Sequence, residues 1–119
     1  TKLLNEYIEI KHIFRGDFYP LTPYSTSQKV WIAWQFDRPD LGEGLIQVFR
    51  RLENDSTTNT FKLQGLQADI RYELINFDTK SKLEIISHDL MEGGLELDIG
   101  NCPGSITIKY RYLKYFIHY

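Results

Sequence analysis

The chain has 119 residues, which is enough for one domain with a hydrophobic core and too few for a large enzyme scaffold. Its 14 Lys and Arg residues and 16 Asp and Glu residues give a slightly acidic balance without a basic block, which argues against a nucleic-acid-binding protein. The single cysteine, Cys102, excludes an internal disulfide framework and a cysteine-based zinc cluster.

The sequence contains neither an apolar run long enough to span a membrane nor the basic-then-apolar order of a signal peptide at its N-terminus. We therefore expect no membrane partner, and the sequence favours a cytoplasmic location by a small margin. The chain begins at Thr1 and not at a methionine, so we expect it to be a processed or excised piece of a longer protein.

Residues 1–14 carry the helical pattern of the chain, and Gly16 is a typical helix end. The pattern predicts one amphipathic helix, which has to bury its apolar stripe on the following domain or on a structure upstream. Four apolar residues form that stripe: Leu3, Tyr7, Ile10 and Phe14.

Residues 17–28, DFYPLTPYSTSQ, contain two prolines and three aromatic residues. The prolines predict a loop without regular structure. Phe18, Tyr19 and Tyr24 are too apolar for a solvated linker, so we expect an ordered loop. It either presses on another surface or packs on the core of this domain, and both alternatives remain open.

Residues 30–36 and 45–51 are apolar at nearly every position, which predicts two strands that are buried on both faces. Trp31 and Trp34 are three residues apart and therefore point to opposite faces of the sheet. Such rings usually pack in a core or an interface, and stacking on a sugar ring is the alternative.

Shorter segments with alternating apolar and polar residues follow, separated by turn signals. They predict an all-β fold, an antiparallel, Greek-key-like β-sandwich behind the N-terminal helix. Tyr72 follows Leu66 and a short turn, in the arrangement of a tyrosine corner, where the phenol bonds to upstream backbone between two sheets. A short helical turn is expected at residues 88–94. The alternating strands are residues 60–63, 70–77, 83–87, 95–99 and 106–112.

Three carboxyl groups, those of Asp37, Asp40 and Glu43, cluster in the loop between the two central strands. Paired carboxyl groups suggest glycosidic hydrolysis, which needs one of them with a raised pKa in a cleft. Acidic residues in a glycine-bearing hairpin are more often turn formers, and nearby arginines such as Arg38 are available to pair with them. We therefore predict no catalytic residue in this chain.

The remaining reactive residues do not form a recognisable site. The histidines, His12, His88 and His118, lack the spacing of metal ligands, and Cys102 has no local histidine partner. A glycine-rich phosphate loop is missing as well. The sequence predicts no metal site and no cofactor.

Several short motifs follow one another in a fixed order. They are GDFYPLT at residues 16–22, WQ at 34–35 with RPD at 38–40 and GEG at 42–44, FRR at 49–51, F-x-L-x-GL at 61–66 leading to Tyr72, and DLM at 89–91 through Gly94 and Leu95. Together these motifs resemble the C-terminal region of glycoside hydrolase family 36 α-galactosidases, and the resemblance covers about residues 7–112.

The resemblance implies a division of the chain. In this family a central (β/α)8 barrel carries two catalytic aspartates, and a small β-sandwich follows it. Residues 1–15 resemble the last barrel helix, and residues 16–119 the C-terminal sandwich. No residue here matches a catalytic aspartate. The resemblance thus implies a non-catalytic piece of a parent enzyme that hydrolyses terminal α-galactosides.

The resemblance also implies a partner, the catalytic barrel of the same parent chain. A second copy of the chain and carbohydrate are further candidate partners, and a stand-alone carbohydrate-binding or adhesion-type module is the alternative function. An excised domain should expose an apolar patch through the helix of residues 1–14 and the loop of residues 17–24, and it should tend to self-associate. The residues expected at the contact with the barrel are Phe18, Tyr19, Tyr24, Arg38, Asp40 and Glu43; those expected to contact carbohydrate are Trp31 and Trp34.

Overall fold

A computed structural model describes residues 11–22, 31–50, 58–77, 79–99 and 104–113. In this part of the chain, eight strands are joined by a 3₁₀ turn at Lys11–Arg15, a π-helical turn at Asp89–Gly93 and irregular connections. The strands are β1 (Asp17–Pro20), β2 (Trp31–Arg38), β3 (Glu43–Arg50), β4 (Thr58–Phe61), β5 (Arg71–Asn76), β6 (Lys82–Ile86), β7 (Leu95–Asp98) and β8 (Gly104–Leu113).

The strands form two antiparallel sheets, so the predicted β-sandwich is confirmed. The large sheet has six strands in the order β1-β2-β3-β8-β5-β6, and the small sheet pairs β4 with β7. The last described strand, β8, lies between β3 and β5 and thereby joins the two hairpins β2–β3 and β5–β6 into one sheet. Below, the inner face of the large sheet is the one towards β4 and β7, and the outer face is the opposite one.

The main core fills the space between the sheets. Alternate residues of β2 point into it, from Trp31 and Ala33 onward, because successive side chains of a strand point to opposite faces. Burial of each large aliphatic side chain in such a core contributes about 1.5–3 kcal/mol. The central residues, all buried, include Ile46, Val48, Phe61, Leu63, Tyr72, Leu74, Leu90, Leu95, Leu97, Ile108 and Tyr110.

A second apolar cluster lies on the outer face. Ile13 of the 3₁₀ turn is fully buried there together with Leu45 and Phe77, and Phe36 and Ile75 pack against them. The turn therefore covers the outer face of β2 and β3. This explains why these two strands are apolar at nearly every position, as the sequence predicts for strands that are covered on both sides.

The predicted helix at residues 1–14 falls mostly outside the described residues. Its last part, from Lys11 onward, belongs to the 3₁₀ turn Lys11–Arg15. The Gly16 N–H donates to the Ile13 carbonyl at 2.9 Å, which closes the turn close to the predicted helix end. The division between residues 15 and 16 stays a prediction.

The prediction of a loop without regular structure from residue 17 onward is wrong for its first four residues. Asp17–Pro20 form β1, an edge strand that pairs antiparallel with β2. Pro20 ends the strand opposite Trp34, and an edge position tolerates a proline because one side of the strand needs no N–H donor. Residues 23–30, which include Tyr24, lie outside the described residues.

Two local predictions are confirmed. The Gln67 N–H donates a hydrogen bond of 3.0 Å to the Tyr72 hydroxyl, in the segment where the chain crosses from β4 in the small sheet to β5 in the large one. This is the tyrosine-corner contact. The helical turn expected at residues 88–94 is present, and the Gly94 N–H bonds to the Asp89 carbonyl at 2.9 Å with Gly94 at a φ of 90°.

Candidate functional site

A row of residues across the middle of the large sheet carries a buried polar network. Asp37 on β2, Gly44 on β3 and Tyr110 on β8 are direct neighbours in the strand register. A Cβ atom on residue 44 would lie only 2.0 Å from Cζ of Tyr110. Glycine at this position therefore lets the tyrosine ring cross β3 and reach β2.

The hydroxyl group of Tyr110 joins two side chains of β2. It donates a hydrogen bond of 2.5 Å to Asp37 Oδ1 and accepts one of 2.8 Å from Gln35 Nε2. Gln35 in turn bonds to the backbone of Gln64, accepting from its N–H at 2.9 Å and donating to its carbonyl at 2.8 Å. The network thus fastens the connection after β4 to the large sheet.

The electrostatics of the network follow from burial. The Asp37 carboxyl group is 3% exposed, and this burial raises its pKa from 3.8 to about 6, against the opposing effect of the Tyr110 hydrogen bond. The negative charges of Asp17 and Asp40 raise it further. Burial also raises the pKa of Tyr110, so its hydroxyl stays protonated and donates.

A raised carboxyl pKa is one mark of a general acid, but the surroundings of Asp37 indicate a structural role. The carboxyl group is enclosed and held by the phenol, and its cross-strand neighbour Asp17 is exposed at the sheet edge. Of the three carboxyl groups expected to share a loop, Asp37 lies within β2 next to its last residue, Glu43 begins β3 and only Asp40 lies in the turn. No catalytic role follows from this arrangement.

The outer face carries a different kind of feature, a partly exposed group of aromatic rings on the 3₁₀ turn and on β1, β2 and β3. The Phe36 ring contacts Phe14 at a centroid distance of 5.0 Å and Phe18 at 5.3 Å. Trp34 contacts Phe49 at 5.2 Å. Phe18 is 55% exposed, Phe49 39% and Phe14 37%. We call these five rings the aromatic surface.

The register explains why the rings gather there. Phe18 is directly opposite Phe36, so both point to the outer face, whereas Tyr19 is opposite Gln35 and points inward. The Tyr19 hydroxyl lies close to Gly65, which has a φ of 73°. Trp34 lies two residues before Phe36 on the same face. Alternate positions of β1 and β2 therefore supply three of the five rings, while the 3₁₀ turn supplies Phe14 and β3 supplies Phe49.

The β2–β3 hairpin places charged groups at the end of these strands. The Arg38 guanidinium binds the Asp40 carboxylate through two hydrogen bonds, of 2.6 and 2.9 Å, which confirms the pairing expected from the sequence. This contact raises the pKa of Arg38 and lowers that of Asp40. Leu41 at the tip is 42% exposed, and the Gly42 carbonyl accepts a hydrogen bond of 2.7 Å from the Tyr112 N–H.

Solved structures of similar fold are α-galactosidases of glycoside hydrolase family 36. AgaB from Geobacillus stearothermophilus is 23% identical with a TM-score of 0.74, and AgaA from the same organism is 21% identical with a TM-score of 0.75. The galactosidase domain of the α-galactosidase-sucrose kinase AgaSK is 19% identical with a TM-score of 0.72. Each match covers 92% of this chain and 15% of the other. No family model and no curated protein sequence matches.

This chain has the fold of the C-terminal domain of family 36 α-galactosidases. It spans about 15% of the length of the enzyme chains that it matches. The fold expected from the resemblance is therefore present, and the matched region is the C-terminal end of those chains.

Within this family 36 C-terminal fold, the two tryptophans occupy opposite faces, as predicted. Trp31 is 5% exposed and packs on Phe61 at 5.9 Å in the main core, so stacking on a sugar would require the core to open. Trp34 is half-buried in the aromatic surface, and its Nε1–H donates to Gln47 Oε1 at 2.7 Å. Carbohydrate binding by these residues stays a prediction.

Among the residues expected at an interdomain contact, the fold separates Phe18 on the outer face from Tyr19 on the inner one. Arg38, Asp40 and Glu43 lie together at the hairpin end. Sequence reasoning missed Phe36 and Phe49 as surface residues. The alternation of side chains along β2 and β3 assigns these two residues to one face of the sheet. The sequence does not show which part of that face another segment covers and which part stays exposed.

The described part of this family 36 C-terminal fold holds neither a metal-binding cluster nor a membrane-spanning helix. In residues 11–22, 31–50, 58–77, 79–99 and 104–113, no group of three or more His, Cys, Asp or Glu side chains is arranged to hold a metal ion. The helical turns in those ranges are too short and too polar to cross a membrane.

Proposed function

We propose that this chain is the non-catalytic C-terminal domain of a family-36-like α-galactosidase, in which it packs on the catalytic barrel and stabilises it. The observation that carries the proposal is the aromatic surface, presented by a fold that matches the C-terminal region of such enzymes. Exposed groups of large apolar side chains mark contact surfaces, because leaving them in water forgoes the free energy of their burial.

The aromatic surface supplies the apolar centre of the proposed contact. Phe18 is the most exposed of the five rings, and both Phe14 and Phe18 pack against Phe36, which orders them before the partner binds. Pre-ordered aromatic rings lose little conformational entropy on binding and are typical anchors of interfaces. The proposal therefore centres the contact on these three rings.

The charged hairpin end supplies a polar rim. Arg38 is held by Asp40 in a fixed orientation, and Glu43 lies opposite Arg38 in the register. Polar groups at the rim of an interface contribute more to its geometry than to its affinity. Tyr19 and Tyr24 remain proposed members of the contact, the first from the inner side of β1.

The substrate class of the parent enzyme is proposed from the same similarity. Variants of AgaA have been crystallised with raffinose and with stachyose, both bound by that enzyme. We infer that the parent of this chain hydrolyses terminal α-galactosidic bonds, with its catalytic residues outside these 119 residues. The contribution of this chain is to hold the barrel in its folded state.

The test uses the complete reading frame that contains this chain. The variant Phe18→Asp should destabilise the complete enzyme by about 2–4 kcal/mol, because it places a charge at an apolar contact. The half-life of aryl α-galactosidase activity at elevated temperature should fall, while KM stays unchanged. In the isolated chain the same variant should change the free energy of unfolding by no more than about 0.5 kcal/mol.

A matched control is Lys62→Asp, which changes an exposed residue on the opposite side of the sandwich. It should leave the half-life unchanged. If Phe18→Asp were equally harmless in the complete enzyme, the aromatic surface would not be the contact. If the isolated chain bound raffinose and Trp34→Ala abolished that binding, the stand-alone carbohydrate-binding module would replace this proposal.

A further inference from the structure

The large sheet has an open edge far from the aromatic surface. Among the described strands it ends at β1 on one side and at β6 on the other. Lys82, Leu83 and Glu84, the first residues of β6, are exposed. Leu83 is 53% exposed although its register neighbour Leu74 is only 3% exposed, so the inner face is uncovered at this edge.

Two backbone hydrogen bonds establish which groups of β6 point away from β5. The Asn76 N–H donates to the Ser81 carbonyl at 3.0 Å, and the Ser87 N–H donates to the Ile70 carbonyl at 2.8 Å. Hydrogen-bonded pairs recur at every second residue of an antiparallel ladder. Leu83 therefore turns its backbone groups towards β5, and Lys82 and Glu84 turn theirs away from β5.

This edge is complementary to itself in one register. If a second β6 pairs antiparallel about a twofold axis at Leu83, then Lys82 of each copy lies opposite Glu84 of the other. These two residues are the ones whose backbone groups point outward, so they form hydrogen-bonded pairs. The two Leu83 side chains meet at a non-hydrogen-bonded position, where facing side chains are closest. Opposite charges and apolar pairs both stabilise facing strands.

The neighbouring symmetric register is disfavoured by charge. A twofold axis at Glu84 would place the two Glu84 carboxylates opposite each other, and like charges at facing positions destabilise a strand pair. The other sheet edge, β1, is less suited to pairing because it has only four residues and Pro20 lacks an N–H donor. Charge and backbone direction thus select one edge and one register.

We propose that β6 is a homodimerisation edge, at which two copies of this chain pair β6 with β6, antiparallel and centred on Leu83, to form one continuous sheet. Addition of a strand to an open edge is an established mode of protein association. The proposal goes beyond the accessory role above. Since the aromatic surface lies on the 3₁₀ turn and on β1, β2 and β3, the barrel contact and the dimer contact occupy opposite ends of the sheet.

The experiment measures the dimer dissociation constant of the chain by sedimentation equilibrium over a range of concentrations. Lys82→Glu turns two symmetry-related attractive pairs into repulsive ones, so the dimer should weaken about tenfold or more. Glu84→Lys should have the same effect. The double variant K82E/E84K exchanges the charges in both copies and should restore the dissociation constant to within about threefold.

Two further variants serve as controls. Glu96→Lys reverses an exposed charge on β7 and should not change the dissociation constant. Phe18→Ser tests association through the aromatic surface and should also leave it unchanged. Circular dichroism of each variant checks that the sandwich is folded.

Three results would overturn the proposal. If the chain stays monomeric at every concentration, β6 does not dimerise. Lys82 and Glu84 would then be charged residues that prevent the edge strand from pairing with another chain. A dimer that is lost in Phe18→Ser but kept in Lys82→Glu would place the contact on the aromatic surface. Failure of the double variant to recover would exclude the register centred on Leu83. None of these results depends on the activity of the parent enzyme.

Discussion

At the scale of single residues, the carboxyl group of Asp37 accepts a hydrogen bond from a phenol in the interior of the protein. The sequence suggests instead an acidic turn residue near arginines. That interpretation holds for Asp40, which pairs with Arg38 two residues away. It does not hold for Asp37, because its partner Tyr110 is 73 residues distant and becomes its neighbour only when β8 joins β3.

The raised pKa of Asp37 makes the stability of the chain depend on pH. The folded protein holds the proton up to about pH 6, whereas the unfolded chain releases it near the ordinary value of 3.8. The folded state therefore binds more protons between these values, and its stability from this group falls as the pH rises from about 4 to 6. The decrease should be about 1–3 kcal/mol.

Asp37→Asn should remove this decrease, because asparagine keeps a carbonyl oxygen for the Tyr110 hydroxyl and carries no charge. Urea unfolding at intervals between pH 4 and pH 7 gives the free energy of unfolding of the variant and of the parent chain. The value for the variant minus the value for the parent chain should increase as the pH rises. Asp40→Asn is the control, since the pKa of Asp40 is lowered. Equal slopes for the two variants would contradict the assignment to Asp37.

At the scale of elements, β2, β3 and β8 are neighbours in the large sheet, and β3 has a glycine, Gly44, between Asp37 of β2 and Tyr110 of β8. Gly44 leaves the space through which the Tyr110 ring passes from β8 to β2. The sequence shows the glycine, and its place in a G-x-G pair suggests a turn. Its role in the sheet depends on which strand becomes the neighbour of β3, which local sequence does not specify.

Gly44→Ala should destabilise the fold by about 2–4 kcal/mol, because the new methyl group displaces the Tyr110 ring and breaks its hydrogen bonds. The free energy of unfolding from urea titration measures the loss. Gly93→Ala is the matched control, since no atom lies within 4 Å of the methyl group it would add. It should change stability by about 0.5 kcal/mol or less. Equal effects at both glycines would contradict the proposed ring crossing.

The first strand shows the same limit of local reasoning. The prolines of residues 17–28 predict irregular structure, and that is the usual consequence of proline in a chain segment. Asp17–Pro20 nevertheless form β1, because β2 offers an unpaired edge to which they add. The tyrosine corner, by contrast, was predictable because Gln67 and Tyr72 are only five residues apart.

At the scale of the whole molecule, the two faces of the large sheet differ in how they are covered. The inner face is covered by the small sheet, and part of the outer face by the 3₁₀ turn with Ile13. Beyond Ile13, the rings of Phe14, Phe18 and Phe49 stay exposed, and those of Trp34 and Phe36 are half-buried. Phe14 and Phe18 belong to the segments where an apolar patch is expected, and Phe49 of β3 is a further exposed ring beside them; self-association through this patch stays a prediction.

The isolated chain should bind an apolar fluorescent dye at the aromatic surface. Phe18→Ser removes the most exposed ring of that surface and should lower the dye fluorescence at least about twofold with little change in stability. Leu83→Ser, which removes a similarly exposed side chain at the other end of the sheet, is the matched control and should leave the fluorescence nearly unchanged. A larger loss in Leu83→Ser would place the main apolar patch at β6.

The sequence by itself determined the class of the fold and most of its strands, since alternation of apolar residues and turn chemistry act over a few residues. It also determined that β2 and β3 are apolar on both faces and that Trp31 and Trp34 point apart. Only the tertiary structure decided that β1 is a strand, that Asp37 meets Tyr110, and which aromatic rings remain exposed. These outcomes depend on strands that are neighbours in the sheet but distant in the chain. The free energy of pairing such strands depends on both of them and cannot be derived from one segment alone.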